Sequence, residues 1–212
     1  MRGLFLDQVA IVLGERLLLT VTHHVQPGEV LTVMGPSGSG KSTLLAFIGG
    51  FLDLAFSARG RVFADETELT ALPAEDRHAG ILFQDPLLFP HMSVAGNLIF
   101  AIPAAVKGKA ARMTLADRAL EGVGMEGMGA RDPDTLSGGQ KARVALARVL
   151  LSSPRTLLLD EPFSKLDAGL RQQMRELVFD KARASGLPVL LVTHDEADAT
   201  AAGGPVIRIG PT

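Results

Sequence analysis

The eight residues Gly35-Pro36-Ser37-Gly38-Ser39-Gly40-Lys41-Ser42 restrict the fold of this chain more than any others. They follow a short apolar run, Val30 to Met34, and lead into Lys41 to Ile48, which reads as a helix. An apolar run that ends at a glycine suits a parallel strand buried on both faces. The glycines let the loop curl so that successive N–H groups converge, and the following helix adds the positive end of its dipole. Strand, anion-binding loop and helix in that order predict a parallel α/β layer. The loop is read as a phosphate site built from Gly35, Pro36, Ser37, Gly38, Ser39, Gly40, Lys41, Ser42 and Thr43. Lys41 is expected to reach the outer phosphates and Ser42 to offer its hydroxyl to Mg²⁺.

A second apolar run, Leu157 to Leu159, ends in Asp160-Glu161. Alone, an acidic pair after a strand is usually a strand end or a helix cap. Beside a phosphate loop the pair takes on distinct roles. Asp160 is expected to hold Mg²⁺, and Glu161 points to where an attacking water must sit. A third buried run, Val189 to Val192, delivers Thr193-His194 at its end. Leu4 to Ile11 and Leu17 to Val25 alternate as half-buried strands do.

The stretch from about 85 to 131 has a different texture, with Pro86, Pro90 and Pro103, an alanine-rich part from Ala110 to Leu120, and then four glycines. It reads as a mostly helical insert. Ser137 looks like the N-cap of a helix that runs through Leu150 and stops at Pro154. Asp167 to Ala184 reads as an amphipathic helix ending before Gly186.

Composition narrows the function classes. With 212 residues the chain fits one α/β domain with a subdomain. Lys+Arg 21 against Asp+Glu 23 gives no excess base for a nucleic-acid groove. No cysteine is present for disulfides or thiolate metal sites. His23, His24, His78 and His91 have no spacing that suggests a metal site. The N-terminal run meets Asp7 too early for a signal peptide. Mean hydropathy is +0.25, yet the longest apolar stretches, Leu44 to Leu52 and Leu98 to Val106, fall far short of the ~20 residues that span a bilayer.

Leu136-Ser137-Gly138-Gly139-Gln140, between the loop and the acidic pair, makes the chain resemble the ATP-binding cassette (ABC) ATPases. The likeness runs from Gly14 to Gly210 with the motifs in the family's order. It implies an α/β P-loop core with an antiparallel β subdomain and an inserted helical subdomain. Residues 1–212 would form a single nucleotide-binding domain, with about 1–84 and 155–212 as core and about 85–154 as the helical part. The same resemblance implies ATP and Mg²⁺ as cofactors. Ser137, Gly138, Gly139 and Gln140 would bind the γ-phosphate held by a second copy, and Asp167 would cross that dimer interface. Gln84 would touch both Mg²⁺ and the water, and His194 would contact the γ-phosphate. Glu161, His194 and Gln84 are then the catalytic set, and Ser42, Gln84 and Asp160 the metal set.

By the same resemblance the chain is the energising subunit of a transporter, with a homodimer (or a similar paired subunit), integral membrane subunits and a substrate-binding protein as partners. It would work at the cytoplasmic face of the plasma membrane. Leu82 to Val94 looks like the corresponding segment of bacterial importer subunits. The rival is a soluble ABC ATPase uncoupled from transport, but such proteins typically insert long coiled coils or join two cassettes.

Two positions depart from the family pattern. Leu13 stands where an aromatic residue usually stacks on adenine, and with no Tyr or Trp anywhere the expectation is that base stacking is aliphatic or absent. Lys165 replaces a small residue near Asp167, either as a solvated lysine or as an attractor of charge across the interface. Pro86 to Met92 reads either as core or as an apolar cleft for a membrane subunit.

Overall fold

The computed structural model describes residues 2–210 and divides into two compact units. One holds the residues up to Ile81, Arg155–Glu161 and those from Phe179 on; the other holds Leu82–Pro154 and Pro162–Val178.

In the first unit, β1 (Leu4–Leu13) and β2 (Arg16–Val25) form a long antiparallel hairpin, to which β4 (Phe56–Ala64) and β5 (Thr67–Glu68) add in the order β2-β1-β4-β5. A second sheet orders β6 (Ala79–Leu82), β7 (Thr156–Asp160), β8 (Val189–Thr193), β3 (Val30–Met34) and β9 (Val206–Arg208). Here β3 pairs in parallel with β8 and β9, and β7 with β8. Every residue of β3 and β8 is buried, as a parallel strand covered on both faces requires.

Helix α1 (Lys41–Gly49) places Leu44, Leu45 and Ile48 in one core cluster with residues of both sheets, among them Leu6, Ile11, Leu31 and Leu158. Arg77 secures the far end of α1, donating to the carbonyls of Phe47 and Ile48 at 2.7 and 3.0 Å. These bonds satisfy acceptors that the helix leaves open.

The second unit contains α2 (Val94–Ala101), α3 (Lys109–Glu121) and α4 (Gly138–Leu151), with α5 (Ala168–Ala184) beginning there and ending in the first unit. Residues 162–178, grouped with the core on sequence grounds, pack here for a local reason. A Cβ on Gly139 would fall 2.1 Å from Leu170, and Arg143 donates to Gln173. In the first unit, α6 (Glu196–Ala202) follows β8.

Asn97, fully buried on α2, fixes the proline-broken segment that precedes the helix. Its amide accepts from Phe89 N and donates to the carbonyls of Phe89, Met92 and Ser93. Asn97→Ala would strand those buried groups, with an expected cost of about 1–3 kcal/mol by urea denaturation. An unchanged midpoint would show that the segment holds itself.

Candidate active site

The phosphate loop leaves β3 at Met34 and enters α1 at Lys41. Gly38 and Gly40 have φ of +78° and +86°, the left-handed region that glycine enters without strain. Gly40 also lies against Leu18 so closely that an added Cβ would sit 3.1 Å from it. Because Gly40 caps α1 without a side-chain acceptor, no side chain of the cap takes the first-turn amides, which suits them to an anion. Lys41 is 6% exposed, and its ammonium donates to the carbonyls of Gly35 and Pro36 at 2.8 Å.

From the next residue of α1, Ser42 Oγ donates to Asp160 Oδ1 at 2.8 Å. Burial pushes the Asp160 carboxyl above its ordinary range, opposed by the Ser42 hydrogen bond, helped by the charge of Glu161 and opposed by Lys41. Two hard oxygen ligands, the Ser42 hydroxyl and the Asp160 carboxylate, therefore stand side by side, and the charge of the second is costly. No cluster of three or more acidic, histidine or cysteine ligands occurs among the described residues. The pair suits an ion that takes its remaining oxygens from phosphate and water, as magnesium does.

Glu161 sits at φ +46°, a strained setting for a non-glycine residue, and its N–H donates to Val192 O at 3.0 Å. Its carboxylate lies 3.1 Å from His194 Nδ1. The turn that carries His194 is itself braced. Thr193 Oγ1 donates to buried Asp198, accepts from Asp195 N, and Asp195 caps α6. Glu196 then takes both ends of the Arg208 guanidinium, which draws the Glu196 carboxyl below its ordinary range. Lys41, Ser42, Asp160, Glu161 and His194 all belong to the first unit, where Lys41, Ser42 and Glu161 line a cavity of about 350 Å³ with Ser37, Gly38 and Thr43, and His194 lines a second cavity with Gly35 and Pro36.

The first of these cavities also brings in a residue that the sequence does not single out. Its lining includes Leu13, as the sequence suggested, but also Phe56, which stands directly opposite Leu13 in the β1–β4 register. The lining of this cavity is not purely aliphatic. Sequence spacing could not find Phe56, because 43 positions separate it from Leu13 and only strand pairing joins them.

The remaining predicted residues fall in the second unit. Ser137 and Gln140 form a reciprocal cap at the start of α4: Ser137 Oγ accepts from Gln140 N at 3.3 Å, and Gln140 Oε1 accepts from Ser137 N at 3.0 Å. The cap engages the amide of Gln140, and Gly138 and Gly139 precede it in the first turn of α4. Asp167 accepts from Leu170 N and opens α5. Lys165, more than half exposed, pairs with Asp85, the neighbour of exposed Gln84. Gln84, Asp85, Gly138, Lys165 and Leu166 line one small cavity of about 190 Å³.

The family model described as ABC transporter matches residues 18–164. The chain belongs to the ABC transporter family. YnjD of Escherichia coli, an uncharacterised ABC transporter ATP-binding protein, is 51% identical over 186 residues, covering 88% of this chain and 85% of that one. An Fe(3+) ions import ATP-binding protein, FbpC of Agrobacterium fabrum, is 40% identical over 86% of this chain and 51% of its own length. A putative 2-aminoethylphosphonate import ATP-binding protein, PhnT of Salmonella typhimurium, is 41% identical over 93% and 53%. The chain therefore spans about half the length of these import relatives. Among solved structures, the dimeric ABC cassette MJ0796 bound to ADP and Pi matches with a TM-score of 0.79 and 29% identity, over 97% of this chain and 94% of that one. As an ABC cassette, the protein is an ATP-binding, ATP-hydrolysing P-loop enzyme.

Proposed function

We propose that this ABC subunit closes as a homodimer on two ATP molecules and drives import through integral membrane subunits. The observation that supports this best is the approach of Glu161 to His194 beside an intact phosphate loop. A nucleotide-gated scaffold without turnover would not need a carboxylate held in a strained backbone setting against a histidine. The loop amides and Lys41 hold the β- and γ-phosphates. Glu161 orients and deprotonates the attacking water, and His194 contacts the γ-phosphate while bracing Glu161. Ser42, Asp160 and Gln84 would hold Mg²⁺, which when bound neutralises charge on the phosphate oxygens. Ser137, Gly138 and Gly139 of the second copy supply donors to the same γ-phosphate, with Gln140 fixing Ser137 and Asp167 crossing the interface. All of residues 1–212 act as one nucleotide-binding domain.

The import direction draws on the named relatives. No helix among the described residues is long and apolar enough to cross a membrane. In this reading integral membrane subunits carry the coupling, and a substrate-binding protein completes the importer. The docking cleft lies in Pro86 to Met92. Leu87 is 59% exposed, Leu88 and Phe89 are half-buried, and Phe100, at 64% exposure, meets the Phe89 ring edge-on. Arg148 supports this patch from below, donating to the carbonyls of Pro86 and Leu87 with its guanidinium over the Phe89 ring. An apolar patch held this firmly suits an anchor for a partner helix.

Leu87→Glu or Leu88→Glu is expected to abolish co-purification with the membrane subunits, while the isolated subunit still hydrolyses ATP. Normal assembly of both variants would place docking elsewhere. A native subunit that turns over ATP at full rate without ever associating with membrane proteins would favour the soluble-ATPase reading.

A further inference from the structure

We propose that Phe56 holds the nucleobase, taking over from β4 the stacking task that Leu13 on β1 cannot perform. The inference rests on the reading that phosphates occupy the Gly35–Thr43 loop. Leu13 and Phe56 are register partners on antiparallel strands, and residues directly opposite one another project to the same face of a sheet. Both line the cavity that contains Ser37, Gly38 and Thr43. Phe56 is the only aromatic residue of that lining.

The position of the ring is built rather than incidental. Phe56 is half-buried and packs against the core cluster, so the side chain is anchored. Its backbone enters β4 from a tight turn in which Asp53 accepts twice: Oδ1 from Ala55 N at 2.8 Å and the carbonyl from Phe56 N at 3.0 Å. That turn leaves Leu54 fully exposed at its tip while directing Phe56 back toward β1. A preorganised aromatic ring gives a flat π surface for a base at little entropic cost.

Specificity follows from what surrounds the ring. The polar side chains of the lining, Ser37, Lys41, Ser42, Thr43 and Glu161, belong to the phosphate loop and the acidic pair. The Leu13–Phe56 end contributes only hydrocarbon. The base is therefore stacked without being read by hydrogen bonds, and every base has a π face. Adenine and guanine nucleotides should bind with similar affinity.

The test is equilibrium binding of ATP, GTP and inorganic tripolyphosphate to the full chain, in wild type, Phe56→Leu and Phe56→Tyr. Leucine keeps apolar packing but removes the ring; tyrosine keeps the ring. We expect Phe56→Leu to weaken ATP and GTP alike by on the order of tenfold. Tripolyphosphate affinity should not change, and Phe56→Tyr should restore nucleotide binding. Wild-type ATP affinity in Phe56→Leu, an equal loss for tripolyphosphate, or a wild-type preference for ATP over GTP above about tenfold would each overturn the proposal. A wild-type chain that binds neither ATP nor tripolyphosphate would instead overturn the phosphate-loop reading on which it rests.

Discussion

Glu161→Gln is expected to lower ATP turnover by at least about 10²-fold while leaving nucleotide binding intact, because a positioned general base contributes that much or more. The amide keeps nearly the shape of the carboxylate and can still approach His194 Nδ1, now 3.1 Å from Glu161 Oε1. What it loses is the capacity to take a proton from water. Lys41, Ser42 and the loop amides stay in place, so the phosphates are held as before. Single-turnover quench of bound ATP measures the effect directly. Wild-type hydrolysis by this variant would remove Glu161 from the chemistry and pass the role to another group.

Lys41→Ala should fail at the earlier step. Its ammonium now donates to the carbonyls of Gly35 and Pro36, which keeps the buried charge paired and the loop curled. When phosphate arrives, that donor can turn from a neutral carbonyl to a charged oxygen. Loss of a charge-assisted contact is expected to cost about 1.5–3 kcal/mol, or roughly ten- to 150-fold in ATP affinity. The ATP-induced rise in melting temperature, which scales with occupancy, should then shrink or vanish at concentrations that saturate the wild type. The two variants separate binding from chemistry: Glu161→Gln retains the thermal shift without turnover, and Lys41→Ala loses the shift itself. Equal shifts in Lys41→Ala and wild type would mean that backbone amides alone grip the phosphates.

The parallel sheet was legible because its strands are bounded apolar runs. Val30 to Met34, Leu157 to Leu159 and Val189 to Val192 were read at nearly the bounds they adopt as β3, β7 and β8. Helix α4 was legible from Ser137, whose reciprocal bonds with Gln140 are a local feature. Strand β4 was not, since Phe56–Ala64 places Arg59, Gly60 and Arg61 in its middle and exposes them all, which leaves no alternation. Gly60, at φ +91°, passes so close to Asp7 and Gln8 of β1 that a Cβ would clash with their carbonyls, and Gln8 itself takes a positive φ at the matching irregularity. Missing β4 meant missing Phe56.

At the site, loop and acidic-pair residues were named from local order, but their meeting depends on sheet order. Ser42 and Asp160 share a hydrogen bond across 118 positions because β3 and β7 both pair with β8. The Lys165–Asp85 pair joins residues 80 positions apart and had no signal in the sequence. Both partners are more than half exposed, so it fixes geometry more than it adds stability.

In the proposed cycle two copies close on ATP, each placing its Ser137 on the γ-phosphate held by the other. Sedimentation equilibrium of the Glu161→Gln chain, without nucleotide and then with ATP and Mg²⁺, tests it most directly. A monomer that becomes a dimer containing two ATP molecules, and that no longer forms when Ser137 is also replaced by arginine, is the predicted result. A Glu161→Gln chain that binds ATP yet stays monomeric at every concentration, or a dimer indifferent to both ATP and Ser137, would contradict it.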